Sequence, residues 1–130
     1  MFGFGRKKED PNRKAFREEF ESTTKKLRTA PEESQMALGH AVNLAHSLFA
    51  QRFDSPEAFR SAPSQVRHDY IAKLTVMEDK LREEKDDPAG SLGFGLFKMW
   101  VGALSAGDSE LIEQFSSELA YFSRKGNFDG

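Results

Sequence analysis

Histidine is the side chain best suited to proton and metal chemistry near neutral pH. This chain carries three: His40, His46 and His68. A helix that holds a metal ion presents ligands at i and i+3 or i+4, so that both reach one ion. His40 and His46 are six residues apart, about 120° around a helix, and they do not converge. His68 and Asp69 are adjacent and diverge as well. No Glu-x-x-His pair occurs, which removes the ligand pattern of a di-iron bundle. There is no cysteine, hence no thiolate ligand, no thiol nucleophile and no disulfide. No glycine-rich loop separates a strand from a helix, and no serine stands in a nucleophile elbow. The carboxylates fall on polar helix faces. We expect no catalytic residue, no metal and no cofactor.

His46 is the one residue with a reactive context to consider. The run Ala45-His46-Ser47-Leu48-Phe49-Ala50 resembles the phosphoacceptor motif of histidine phosphotransfer domains, which are small four-helix bundles. In that family the histidine is typically followed by x-Leu-Lys-Gly. Leu48 matches, while Phe49 replaces the lysine and Ala50 the glycine. The resemblance implies His46 as a candidate phosphoacceptor in a divergent domain of that kind.

The elements that must position these residues are helical. Leu, Ala, Glu and Lys outnumber Val and Ile, which favours helix over strand. At 130 residues, 38% hydrophobic and 31% charged, the chain is one helical domain able to bury its own core. Ser91–Ala106 is apolar almost all the way round, with Lys98 its only charge. A helix of that kind belongs in a protein core or a membrane. It is short of the ~20 residues a spanning helix needs, so a central core helix is expected. Leu92, Phe94, Leu96, Phe97, Trp100, Val101 and Leu104 form its large arc. Gly95, Gly102 and Ala106 form a small face, expected to receive one closely packed helix, the first of the chain. On that reading Gly102→Leu overfills the contact.

Four amphipathic helices should surround it. The first begins at Asp10-Pro11 and runs to Arg28, with a thin stripe of Phe16, Phe20 and Leu27. The second starts at Pro31 and ends near Arg52. Leu38, Val42, Ala45 and Phe49 form its stripe, widened by Ala41, Leu44 and Leu48. Ser55-Pro56-Glu57 opens a short helix that Pro63 ends. Ser64 to Lys85 carries Val66, Tyr70, Leu74, Met77 and Leu81 at bundle spacing. Pro88-Ala89-Gly90 is expected as a break. Asp108 or Ser109 caps the last helix, which carries Leu111, Ile112, Phe115, Leu119 and Phe122, with Gly126 as its C-cap. The fold class is all-α, a four- to five-helix bundle spanning residues 11–126, with a basic arm at 1–10 and a tail at 127–130.

Charge is unevenly spread. Residues 1–30 hold nine Lys/Arg against five Asp/Glu, while the remainder is acidic and the whole chain carries −2. Phe2 and Phe4 sit on the basic arm beside Arg6, Lys7 and Lys8. That arm could meet nucleic acid or an anionic membrane surface as a peripheral contact. Interleaved Glu18, Glu19 and Glu21, and an isoelectric point of about 5.9, argue against a dedicated nucleic-acid binder. The function expected from sequence is a non-enzymatic helical interaction or regulatory module in the cytoplasm. Its partner is another protein or a second copy in a homodimer. Phe2, Phe4, Phe16, Phe20 and Leu27 are its candidate contact residues.

Overall fold

A computed structural model describes residues 9–126. Among them there are six helices and no strand: α1 (Pro11–Arg28), α2 (Glu32–Arg52), α3 (Pro56–Ser61), α4 (Ser64–Glu83), α5 (Pro88–Ala106) and α6 (Ser109–Gly126). Three of the starts share one chemistry. An N-cap side chain accepts from an otherwise unsatisfied backbone N–H, and proline follows where no N–H is needed. Asp10 accepts from Asn12 N at 2.7 Å, Ser55 from Ala58 N at 3.1 Å and Asp87 from Gly90 N at 2.9 Å. The third corrects the sequence reading. Pro88-Ala89-Gly90 is the first turn of α5, because Asp87-Pro88 is a cap followed by an N1 proline. Gly107 ends α5 in the left-handed conformation, φ 69°. Gly126 lies within α6.

The helix α5 packs against α2, α4 and α6 and touches α3. Phe94, Leu96, Phe97, Trp100, Val101 and Leu104 are buried there, as a helix apolar on most sides requires. Leu92 is not: it is 42% exposed. Phe49 of α2 is the aromatic hub. Its ring lies 5.4–5.8 Å from those of Phe53, Phe59, Tyr70, Phe97 and Trp100, mostly in the tilted or edge-on geometries aromatic rings prefer.

The small face of α5 does not receive one close helix. A Cβ at Gly95 would lie 2.6 Å from Glu78 Oε2 of α4, one at Gly102 would touch only the Phe16 ring tip at 3.6 Å, and Ala106 is exposed. A helical projection shows which residues share a face but not which helix arrives there. The close approaches lie elsewhere. A Cβ at Gly93 would come within 2.6 Å of Ala41 Cβ and 2.7 Å of Leu38 O, so Gly93 lets α5 and α2 touch. Gly39 and Gly126 do the same between α2 and α6. The first helix instead docks on α6, where Phe20 stacks on Phe115 at 3.8 Å. Buried Gln35 clasps the turn before α2, donating to Arg28 O and Ala30 O and accepting from Tyr121 Oη.

Candidate functional site

The outward face of α2 is the surface that the chain's own composition sets apart. From Ser34 to Gln51, eighteen residues contain no Asp, Glu, Lys or Arg. One side of this run is core: Leu38, Val42, Ala45 and Phe49 are all buried. The opposite side carries Ala37, His40, Leu44, Ser47, Leu48 and Gln51, all exposed and all within about 120° of arc. Leu44 and Leu48 are one turn apart and 52% and 39% exposed. This overturns the expectation that they widen the buried stripe. Leu38, Ala41, Val42, Ala45 and Phe49 already fill the buried side, and Leu44 and Leu48 lie opposite it.

Solvent-facing helix surfaces ordinarily carry charge. The other long amphipathic helices do so at exposed positions: Glu18, Glu19, Lys25 and Lys26 on α1; Asp69, Lys73 and Lys80 on α4; Glu110, Glu113 and Arg124 on α6. The core of a protein–protein interface is the setting in which charge is depleted. Single exposed leucines are common. A charge-free helix face bearing two of them is not, and the run without charge is legible in the sequence. Apolar periodicity alone does not reveal it.

Beside this face, α2, α5 and α6 enclose a cleft of about 240 Å³. Phe97, Trp100 and Leu119 form its apolar lining, and His46, Ser116 and Ser123 its polar rim. Trp100 Nε1 donates to Ser116 Oγ at 2.8 Å, and Asn43 Nδ2 donates to Ser123 O at 3.2 Å. His46 is exposed, with its ring edge-on to Phe97 at 6.1 Å. Among the described residues no Lys or Arg lines the cleft, so none of them would offset the charge of a phosphoryl group on His46.

The candidates placed on α1 turn out to serve the fold. Phe20 is completely enclosed, Phe16 meets Phe115 edge-on at 5.6 Å, and Leu27 is half-buried against the core. The arginines of α1 are engaged too. Arg13 donates to Asp108 at 2.6 Å and Glu110 at 2.7 Å and pairs with Glu9. Arg17 holds Glu9 at 2.7 Å, and Arg28 holds Glu118 at 2.7 Å. Hydrogen bonding from Arg13 holds the Asp108 carboxyl below its ordinary range, and Arg17 does the same first of all for Glu9. Phe2, Phe4, Arg6, Lys7 and Lys8 lie outside the described residues. Among the described residues no group of three acidic or histidine side chains could hold a metal ion, and no helix is long and apolar enough to cross a membrane. Compared with protein-family models, curated proteins and solved structures, the chain matches none.

Proposed function

We propose that this protein is a non-enzymatic helical interaction module acting in the cytoplasm, and that the outward face of α2 is its contact surface. The observation that carries the reading is the charge-free arc with Leu44 and Leu48 exposed at its centre. Burying that arc against another protein removes two leucines from water without desolvating a charge, which is the favourable combination for association. The remainder of α2 is fixed by Phe49, Gly39 and Gly93, so the face is presented rigidly and needs no ordering before contact.

The test is the doubly substituted Leu44→Glu/Leu48→Glu protein. Both positions are exposed, so the variant should melt within about 0.5 kcal/mol of the wild type. A partner purified with the wild type should bind the purified wild type and lose binding at least tenfold to the variant. Equal binding of the two would remove α2 as the contact surface.

A further inference from the structure

We infer that α1 is a displaceable strap, and that the α6 groove it covers takes a basic amphipathic helix of another protein in its place. The helix α1 holds that groove loosely. Of its 18 residues only Phe20 and Thr24 are buried. A cleft of about 560 Å³ opens beside its first half, between Phe16 and the Gly102 and Ala106 side of α5. Another of about 670 Å³ opens beside its second half, between Thr24 and the Gln114 and Ser117 side of α6. Helices that share a finished core interdigitate along their length. This seam stays open along both halves.

The chemistry of the occupant is displayed by α1 itself. Its contact stripe is Phe16, Phe20, Thr24 and Leu27, at 4-4-3 spacing. The two rings close on Phe115. Arg13 and Arg28, towards the two ends, pair with Asp108, Glu110 and Glu118. Glu113 lies between the last two and lines the second cleft, so the rim of the groove is acidic and favours a basic helix. Thr24 is the weak rung. Its hydroxyl donates to Glu21 O of its own helix at 3.1 Å, and the larger cleft opens beside it. A helix with leucine at that register buries more apolar surface in the same groove. The α1 of a second copy brings no such gain. Exchange would remake the same contacts and lose the short link from Thr29 to Pro31 that keeps α1 close to its groove. The occupant is therefore a helix of another protein, which can carry the residue that α1 lacks.

The probe is a dye-labelled peptide of residues 9–29, read by fluorescence anisotropy against the full chain. A closed strap lowers the apparent affinity by the fraction of chains that are open, so the Phe20→Ala chain should bind the peptide about tenfold or more tightly than the wild type. Placing Thr24→Leu in the peptide should tighten that binding roughly fivefold. Placing Phe20→Ala in the peptide should weaken it by about tenfold or more. If the Phe20→Ala chain fails to fold, Arg13→Gln/Arg28→Gln loosens the strap at its ends without removing a ring, and should gain about threefold. Equal binding to the wild type and to the loosened chain overturns displacement, as does no binding to any of them. Equal binding of the native and Phe20→Ala peptides overturns the α6 groove as the site. No gain from Thr24→Leu overturns the unfilled seam. Sedimentation of the wild type separates the sources. A dimer abolished by Phe20→Ala would give the groove to the α1 of a second copy and overturn the heterologous occupant.

Discussion

Gly93 and Gly102 lie on the same helix, yet a methyl group added at each meets different surroundings. At Gly93 it would strike Ala41 Cβ and Leu38 O of α2, a helix that cannot retreat without emptying the core. Gly93→Ala should cost about 1–3 kcal/mol by overpacking. At Gly102 the methyl meets only a ring tip at ordinary contact distance. Gly102→Ala removes a flexible residue from a helix interior and should be neutral or stabilising by about 0.5–1 kcal/mol. Urea denaturation of the two variants reads both signs. Asp108 supplies a pH test. Its carboxyl is held below the ordinary 3.8, chiefly by the Arg13 hydrogen bond. A depressed folded value means that this ion pair stabilises the fold above the ordinary carboxylate range. That stability is lost as pH falls through the folded value. Arg13→Gln should therefore melt below the wild type at pH 7, and the gap should shrink as pH drops below 3.8.

At the scale of elements, α1 and α2 exchange the roles that their sequences suggest. The helix α1 has a thin apolar stripe, which reads as a face waiting for a partner. Its partner is α6, which supplies Phe115 for stacking and Glu110 and Glu118 for the arginines, joined by Asp108 just ahead of its first residue. Phe20→Ala should cost about 3–5 kcal/mol. Hydrogen exchange should then speed up first along α1, the helix that loses its fully buried ring. Helix positions, the caps at Asp10 and Ser55 and the central place of Ser91–Ala106 were legible, since periodicity and capping chemistry are local, while the Asp87 cap was hidden in what reads as a break. The docking of α1 was not, because complementarity between Phe20 and Phe115 joins residues far apart in the chain. The exposure of Leu44 and Leu48 was not legible from hydropathy either. It depends on how wide a stripe α5 and α6 can cover, and that width belongs to the neighbours, not to α2.

For the whole molecule, the uneven charge has an internal use. The first thirty residues are basic and the rest of the chain is acidic, and through α1 the described part of that asymmetry closes on itself. Salt should therefore act on the docking of α1. Raising NaCl from about 0.05 to 0.5 M screens exposed ion pairs, so α1 should exchange faster. Trp100 gives this molecule a built-in optical probe. It is the chain's single tryptophan. Its ring packs against Phe49 and Phe97, and its N–H is held by Ser116. Those contacts come from α2, α5 and α6, and none from α1. Emission from Trp100 thus reports only the opening of the inner helices. Circular dichroism counts every helical turn, so it should begin to fall at a lower urea concentration, where α1 has peeled away and the fluorescence has not yet moved.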